Sequence, residues 1–189
     1  MKVTNMKIKG SWREVADSAR TTINMEPGTK EPSSLWKRKM LLAEHSPIRQ
    51  MFISAKWIDL PYWVSVHFVR HKIGIEHWVR TQRSDRTGTE RGASPQNAEV
   101  EHEILASFQA VIAISRKRLC RQASPETQQA WKLMVDELKE IEPELYSVCV
   151  PDCVYRGWCM EYKSCGYHET KAFQKAVEEY REGINQLKD

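Results

Sequence analysis

Residues 70–86 read RHKIGIEHWVRTQRSDR, and the elements that precede and follow this stretch decide the fold class. Between Arg70 and Arg91 there are six Lys or Arg residues against three acidic residues, with two histidines among them. Arginine offers a rigid fork of N–H groups that matches two phosphate oxygens, and lysine offers a compact charge. The stretch therefore indicates an anion-binding segment, and the alternative for such a charge run is a solvated basic surface.

The second half of this stretch, Gln82 to Thr87, would bring two phosphate-binding side chains together if it is extended. Side chains two residues apart on an extended segment point to the same side, so Ser84 and Arg86 are expected to face one way. A hydroxyl and a guanidinium on one side would together hold a single phosphate group.

The chain before this stretch predicts both strands and helices. Val3–Lys9 is predicted as an edge strand, and Ser11-Trp12-Arg13-Glu14 is a capping box that opens a helix to about Thr22. The next predicted elements are a loop at 24–34, a helix at 35–44, a strand at 52–60 and a helix from Pro61 to about His71. That last helix is expected to deliver Arg70 and His71 at its end.

The chain after this stretch is more helical. Ser94-Pro95 and Ser124-Pro125 are N-cap and first-turn signals, which predict a long helix to about Arg121 and another to about Ile141. Apolar residues at helical spacing are Ile104, Leu105, Phe108, Val111, Ile112 and Leu119 in the first, and Phe173, Ala176, Val177, Tyr180, Ile184 and Leu187 in a C-terminal helix. The whole pattern predicts an α+β fold, with residues 1–189 as one domain.

Composition limits the possible functions. A chain of 189 residues buries about 70% of the surface that it exposes when unfolded, so no metal or disulfide is required for folding. The net charge of +4 suits a small anionic ligand and falls short of a dedicated duplex-DNA binder, so nucleic acid is a disfavoured partner. Residues 1–10 lack the apolar run of a secretory signal, and no membrane-length apolar run occurs, so a cytoplasmic protein is expected.

A cysteine-rich segment spans residues 149–165. Four of the five cysteines lie there: Cys149, Cys153, Cys159 and Cys165. Four thiolates satisfy Zn²⁺ in a tetrahedron, so the segment predicts a structural zinc site. An iron–sulfur cluster, unliganded thiols and disulfides are the alternatives, with disulfides disfavoured in a reducing cytosol. His168 is a spare candidate ligand, and Cys120 is expected only to pack.

The order of elements and the motifs that they carry resemble the flavin-dependent thymidylate synthases, the ThyX family. His45-Ser46-Pro47 is similar to the His-x-Ser/Thr-Pro or His-Ser-Pro turn that the family has before a strand. Arg70-His71-Lys72 is similar to the start of its signature, R-H-R-x-x-S-x-N-E-x-S-x-R-Y. With four extra residues in the loop, Gln82, Ser84 and Arg86 take the Glu, second Ser and Arg positions. The resemblance implies a ThyX-like α+β fold with a small antiparallel sheet and long helices.

The resemblance also implies roles for individual residues. Arg70, His71 and Lys72 would contact FAD, and His45 and Ser46 would add contacts from a neighbouring subunit of a homotetramer. The residues implied to bind dUMP are His67, Gln82, Ser84 and Arg86. No protein nucleophile is implied, because the reduced flavin carries the hydride and the protein positions the rings. Methylenetetrahydrofolate would supply the carbon for C5 of dUMP, and NADPH would be a co-substrate.

Two departures from the family pattern bear on the reaction. An Arg that the family places four residues before the Pro of a Leu-Pro pair falls at Ser147, with Val150-Pro151 as that pair, and the available cations are Arg156 and Lys163. Residues 75–80 form an insertion that the family motif lacks. A related modification of a pyrimidine nucleotide, such as hydroxymethylation, is therefore the second hypothesis.

Two further alternatives are open at this point. A non-enzymatic zinc protein could bind nucleic acid through the basic surface from Arg70 to Arg91, with affinity that falls steeply with salt. Trp57, Trp63 and Trp78 could stack on a flavin ring, although a Trp among apolar neighbours is more often core or interface. Trp78, inside the insertion, is the strongest candidate of the three for such stacking.

Overall fold

The computed structural model describes residues 1–185, with side chains described as far as residue 182. One sheet within this range contains β1 (Lys2–Lys9), β2 (Phe52–Pro61), β3 (Ile75–Val79) and β4 (Glu99–Ser107). The order across the sheet is β1-β2-β4-β3, and every neighbouring pair is antiparallel. β2 and β4 are therefore central, whereas β1 and β3 are the edges.

Helices form the rest of the regular structure. The α-helices of the described residues are α1 (Trp12–Thr21), α2 (Ser34–Leu42), α3 (Tyr62–Phe68), α4 (Ser84–Thr87), α5 (Phe108–Arg118), α6 (Pro125–Ile141), α7 (Pro143–Val148), α8 (Asp152–Arg156) and α9 (Lys171–Asn185). Short 3-10 helices occupy Ser46–Gln50, Arg91–Ala93 and Tyr167–Glu169. α6 packs on α5, α3 and the sheet. No helix in the described range combines the length and apolar character that a membrane span requires.

Several local predictions are confirmed. Ser11 caps α1, because its side chain accepts a hydrogen bond from the backbone N–H of Glu14 at 3.2 Å. β1 is an edge strand, as the pattern of residues 3–9 predicted. α6 begins at Pro125 directly after Ser124, where the proline has no N–H to leave unpaired.

The predicted helix from Ser94 to Arg121 is wrong in its first half, where residues 99–107 form β4. The side chains buried along β4 alternate with less buried ones and are those of Val100, His102, Ile104 and Ala106. This period of two is typical of a strand with one face on the core. The helix begins only at Phe108, because the side chain of Ser107 caps it by accepting from the N–H of Ala110 at 3.2 Å.

The helix predicted from Pro61 to His71 ends at Phe68, three residues early. Arg70-His71-Lys72 consequently lies in the turn between α3 and β3, and Gly74 adopts a positive φ of 70° there. The residues predicted as an insertion are β3, an edge strand that pairs with β4. β3 therefore lies beside the turn that carries Arg70, His71 and Lys72, called the basic turn below, and His77 on β3 contacts the backbone carbonyl of His71 in that turn.

The core lies between the sheet and the helices. Trp57 and Trp131 are almost fully buried, and their indole N–H groups donate to Ala130 O at 2.8 Å and Ser115 Oγ at 2.9 Å. The predicted stripes contribute Phe108, Val111 and Ile112 from α5, and Phe173, Val177 and Tyr180 from α9. Leu187 and the side chain of Ile184 lie outside the described residues. A buried large apolar side chain stabilises the fold by about 1.5–3 kcal/mol.

Candidate functional site

Arg118, the last residue of α5, links the basic turn to the core. Its Nε–H donates to His71 Nε2 at 2.8 Å, and its terminal Nη2 group donates to the backbone carbonyl of His67, also at 2.8 Å. The guanidinium is partly buried, and burial lowers its pKa, with the nearby Arg70 lowering it further. One side chain therefore fixes both the end of α3 and the imidazole of the predicted flavin-binding motif.

His67 is held from its other side by α6. Its Nδ1 lies 2.9 Å from Thr127 Oγ1, and that hydroxyl also accepts from Ser124 Oγ at 2.7 Å. Burial lowers the pKa of His67, and the charges of Arg118 and Arg70 lower it further. The ring is therefore favoured in its neutral form, positioned between two helices.

The proton on the neutral His71 ring is placed by Arg118. An arginine can only donate, so His71 Nε2 must accept, and the ring carries its hydrogen on Nδ1. Burial lowers the pKa of His71 to about 4, with Arg118 and His77 adding to the effect. His71 is therefore neutral near pH 7 and holds a single N–H donor in a defined tautomer.

A second pair of histidines fixes the same turn from the sheet. His77 Nε2 lies 2.9 Å from the carbonyl of His71, which can only accept, so Nε2 carries the hydrogen. In neutral His77, Nδ1 must then accept from His102 Nε2 at 3.0 Å. His102 is fully buried on β4, and its Nδ1 has no partner among the described residues. Burial, with His77 as the second cause, lowers the pKa of His102 to about 4, so this ring is neutral as well.

Positive charge is concentrated at this turn. Arg70 and Lys72 are exposed on it, and the guanidinium groups of Arg70 and Arg118 are close enough to affect each other. Asp85, a carboxylate of the following segment, is paired with Arg83 at 2.7 and 3.0 Å. The like charges of Arg70 and Arg118 repel each other, and a bound anion would relieve that repulsion.

The second half of the signature lies on a different kind of segment. Residues 84–87 form one helical turn, α4, that ends at Gly88 with φ 68°. The expectation that Ser84 and Arg86 share a side required an extended segment and is therefore wrong, because residues two apart on a helix are about 200° apart. Ser84 Oγ accepts from the N–H of Arg91 at 3.2 Å, whereas Arg86 is exposed near Asp85 at 3.7 Å.

The remaining predicted binding residues are exposed or only partly covered. Gln82 is half-buried in the segment that follows β3. His45 and Ser46 are exposed at the start of the 3-10 helix Ser46–Gln50, which Ile48 anchors in the core. Their implied role, contact with a cofactor across a subunit boundary, stays a prediction.

A cavity of about 650 Å³ lies away from this turn. It is lined by the cysteines, by residues that follow α5 and by residues of α6 to α9, and none of the predicted flavin or nucleotide ligands lines it. Ser147 does line it and donates to the carbonyl of Glu144 at 2.7 Å, and Arg156 on α8 donates to Asp152 at 3.0 Å. In the described range, no three His, Cys, Asp or Glu side chains are placed to hold a metal ion, so the structural zinc site predicted at Cys149, Cys153, Cys159 and Cys165 is not supported.

Three residues of the site were not predicted from the sequence. Arg118 ends the run Arg116-Lys117-Arg118, which looks like ordinary positive charge at a helix C-terminus. His102 was hidden because its strand was predicted to be helical. The alternation Val-Glu-His-Glu-Ile at 100–104 was the available signal. Thr127 gave no signal beyond its position in the first turn of α6.

Comparisons with known proteins place the fold. The sequence matches no family model and no curated protein. Two structures of the flavin-dependent thymidylate synthase ThyX from Helicobacter pylori, with FAD and dUMP, match with a TM-score of 0.65 and 10% identity. They cover 79% of this chain and 99–100% of their own.

A UMP/dUMP methylase, PolB from Streptomyces cacaoi bound with 5-Br dUMP, matches with a TM-score of 0.59 and 12% identity. The match covers 78% of this chain and 94% of that one. The predicted α+β class, with a small antiparallel sheet and a ThyX-like arrangement, is thereby confirmed.

Proposed function

We propose that this chain is a flavin-dependent enzyme of the thymidylate synthase type, transferring a one-carbon unit from methylenetetrahydrofolate to C5 of dUMP. The observation that carries the proposal is the basic turn, where Arg118 holds a neutral His71 beside two exposed cations. The likeness of the fold to proteins solved with FAD and dUMP supports the same reading. Residues 1–189 are taken as one flavin- and nucleotide-binding domain, and NADPH as the source of reducing equivalents.

The basic turn suits FAD in charge and in hydrogen bonding. Arg70 and Lys72 would neutralise its diphosphate, and the N–H of His71 would donate to a phosphate or ring oxygen. When bound and reduced, the flavin supplies the hydride that the transfer of a methyl group requires. Because His71 is neutral at pH 7, the positive charge of the basic turn comes from its arginines and lysine alone.

The segment after β3 would bind the nucleotide. Ser84 and Arg86 would donate to the phosphate of dUMP, and the amide of Gln82 together with His67 would contact its pyrimidine and sugar. Because α4 points Ser84 and Arg86 in different directions, the two side chains would approach the phosphate from different sides. No side chain is proposed as a covalent nucleophile.

We propose a homotetramer in which neighbouring chains complete each site. The basic turn is an open surface in one chain, and the main cavity lies elsewhere. A second subunit that brings His45 and Ser46 to this turn would close the site over the ligands and exclude water. Exclusion of water strengthens every charge interaction made with the bound phosphates.

A second candidate reaction rests on Ser147. The family pattern places an Arg at this position, and here a short hydroxyl group donates to a helix carbonyl. A guanidinium near a pyrimidine carbonyl stabilises the charge that develops when C5 attacks. Its absence favours a related pyrimidine nucleotide or product, such as UMP or a hydroxymethylated base.

The first experiment is the absorbance spectrum of the purified protein, followed by tritium release from C5-labelled dUMP with methylenetetrahydrofolate and NADPH. A flavin band and tritium release are expected, and mass analysis of the product distinguishes methyl from hydroxymethyl transfer. A colourless protein that takes up no FAD would refute the proposal.

A pair of variants in the basic stretch controls this experiment. Arg70→Ala should weaken FAD binding by about ten-fold or more, since a charge-assisted hydrogen bond contributes about 1.5–3 kcal/mol. Arg83→Ala is the matched control, because this arginine already pairs with Asp85 and should change FAD affinity little. Equal losses in both variants would indicate a diffuse basic surface instead of a site.

A further inference from the structure

The start of α6 carries two hydroxyl groups, those of Ser124 and Thr127, that contact each other and His67. Thr127 is fully buried, and a buried hydroxyl is costly unless it finds hydrogen-bond partners. Its partners are Ser124 Oγ at 2.7 Å and His67 Nδ1 at 2.9 Å. The hydroxyl of Thr127 therefore connects the start of α6 to an imidazole near the end of α3, 60 residues earlier in the chain.

Ser124 departs from three other serines that precede α-helices. Ser11, Ser33 and Ser107 are the N-caps of α1, α2 and α5, and each side chain accepts a hydrogen bond from the backbone N–H three residues later. Ser124 is the N-cap of α6, and its side chain makes no such bond. Its hydroxyl donates to Thr127 instead, so this serine lacks a contact that normally stabilises a helix start.

The direction of these hydrogen bonds places the hydrogen on the ring of His67. A threonine hydroxyl has one hydrogen to donate, and its oxygen can accept from other groups. Thr127 accepts from Ser124, so its own hydrogen is available for His67 Nδ1. In a neutral imidazole one ring nitrogen accepts and the other carries the hydrogen. When Nδ1 accepts from Thr127, the hydrogen of His67 lies on Nε2.

The ring of His67 is held from several directions. Arg118 donates to the backbone carbonyl of His67 at 2.8 Å, and Trp63 packs edge-on against the ring with 5.4 Å between the ring centroids. Burial, followed by the charges of Arg118 and Arg70, lowers the pKa of His67, so the ring is neutral near pH 7. Among the residues that the structure describes, Nε2 has no hydrogen-bond partner, and the ring is only partly covered. Nε2 is thus the ring atom left for a ligand.

His71 is fixed in a similar way but in the opposite tautomer. Arg118 donates to its Nε2, so the hydrogen of His71 lies on Nδ1. Each of the two histidines therefore holds one N–H donor, and a side chain of another helix sets its position: Thr127 of α6 for His67 and Arg118 of α5 for His71. Such a pair of donors suits a ligand rich in oxygen atoms, which accept hydrogen bonds.

We propose that Ser124 and Thr127 are positioning residues, which hold His67 in the tautomer with its hydrogen on Nε2 so that this N–H donates to an oxygen atom of the bound nucleotide. Thr127 is buried and acts through the imidazole ring. His67 serves as a fixed donor, and no proton is transferred. The part that this N–H has in nucleotide binding rests on the proposed function, whereas the position of the hydrogen does not.

The test is NMR of the ring nitrogens of His67 in the unliganded, full-length protein, labelled with ¹⁵N-histidine. A protonated ring nitrogen and an unprotonated one differ widely in chemical shift, and His67→Asn identifies the two signals by their loss. Near pH 7 we expect Nε2 to carry the hydrogen and Nδ1 to be unprotonated. A hydrogen on Nδ1, or a mixture of the two tautomers, would overturn the proposal.

Variants of Thr127 separate the hydroxyl from the size of the side chain. Thr127→Val has nearly the same shape but cannot donate, so His67 should populate both tautomers. Thr127→Ser is the matched variant that keeps the hydroxyl, and its ring should keep the hydrogen on Nε2. An unchanged tautomer in Thr127→Val would show that the hydroxyl does not set it.

The role in nucleotide binding is tested with dUMP itself. Its addition should shift the signal of His67 Nε2 and leave the hydrogen there. Kd for dUMP should be about three-fold to ten-fold higher in Thr127→Val than in Thr127→Ser, the equivalent of one net hydrogen bond. Binding of dUMP without a change at His67, or equal Kd values in the two variants, would overturn this role.

Tritium release from C5-labelled dUMP tests the reaction separately. If dUMP binds and shifts the Nε2 signal of His67 but releases no tritium, the proposed function is refuted and the positioning role of Ser124 and Thr127 stands.

Discussion

With its flanking residues the basic stretch runs from residue 67 to residue 98, and its two halves are built in different ways. The first half, residues 67–77, is fixed by side chains from α5, α6 and β4: Arg118, Thr127 and His102 each make a hydrogen bond to it. The second half, residues 80–98, makes its side-chain contacts mostly within itself, as Arg83 does with Asp85. One half is anchored to the core, and the other is a largely exposed surface segment.

The anchored half and the exposed half should bind ligands at different cost in conformational freedom. A group held by several buried hydrogen bonds needs no further ordering when a ligand arrives, so most of its interaction energy is available for affinity. An exposed segment must lose conformational freedom first, which costs about 1–2 kcal/mol for each backbone residue that becomes ordered. The anchored half therefore suits a resident cofactor, and the exposed half suits a substrate that enters and leaves.

The largest effect is expected from Arg118→Ala, which releases the anchored half. This variant removes two charge-assisted hydrogen bonds, to His71 Nε2 and to the carbonyl of His67, and leaves both acceptors unpaired. We expect the free energy of unfolding to fall by about 4 kcal/mol and flavin affinity to fall with it. Urea denaturation and flavin titration measure the two effects.

Arg118→Lys separates charge from geometry in the same position. Lysine keeps the positive charge but lacks the planar fork that reaches two acceptors, so it should recover only part of the stability. Lys117→Ala is the control, because Lys117 lies on the same turn of α5 and is exposed. If Arg118→Ala loses no more stability than Lys117→Ala, the guanidinium of Arg118 does not anchor the turn.

The second effect is a dependence of stability on pH that arises from the buried histidines. The folded-state pKa values of His71 and His102 are about 4, below the ordinary value of 6.5, so the unfolded chain binds these protons first. The contribution of these two histidines to the free energy of unfolding should therefore be complete above pH 6.5 and should be lost as the pH drops towards 4. For the fully buried His102 the loss is about 3 kcal/mol at most.

His102→Gln tests this assignment because glutamine keeps an N–H for His77 but does not titrate. The free energy of unfolding, measured by denaturation between pH 7 and pH 5, should depend less steeply on pH, by the equivalent of about one proton. Val100 lies on the same face of β4 and does not titrate. Val100→Ala removes buried methyl groups and should lower the free energy of unfolding by the same amount at every pH. An unchanged slope in His102→Gln would assign the pH dependence elsewhere.

The sequence predicted the anchored half in part, and the reason is local. The Arg-His-Lys motif, the capping box at Ser11 and the start of α6 depend on residues that are neighbours in the chain. β4 was missed because Ser94-Pro95 resembles a helix start and the apolar residues near position 104 fit both periods. Tertiary pairing with β2 and β3 decided in favour of the strand.

The contacts that complete the site could not be predicted, because they join distant residues. His71 and Arg118 are 47 residues apart, and His67 and Thr127 are 60 residues apart. Their pairing depends on how α5 and α6 pack on the sheet, which hydrophobic spacing does not specify. The cysteines show the same limit, since Cys120, two residues after the end of α5, lines the same cavity as the four cysteines at 149–165.

A smaller effect is expected from Arg86→Ala in the exposed half. Arg86 is exposed and packs against nothing in the core, so the free energy of unfolding should change by no more than about 0.5 kcal/mol. If it binds the phosphate of dUMP, KM for dUMP should rise by about ten-fold, the equivalent of about 1.4 kcal/mol. Steady-state kinetics with FAD saturating would measure this, and an unchanged KM would remove Arg86 from the nucleotide site.

The smallest effect is expected from Asp85→Ala, which releases Arg83 within the same segment. The pair is exposed, and such ion pairs contribute about 0–1 kcal/mol, so stability should hardly change. Removing a carboxylate next to Arg86 should nevertheless favour the binding of a phosphate, and a fall of about two-fold in KM for dUMP is expected. The gain should disappear at high salt, because exposed charges are screened over about 10 Å at 0.1 M salt. A rise in KM would mean instead that Asp85 orders the turn for its ligand, and the contrast with the anchored half would then be weaker than the contacts suggest.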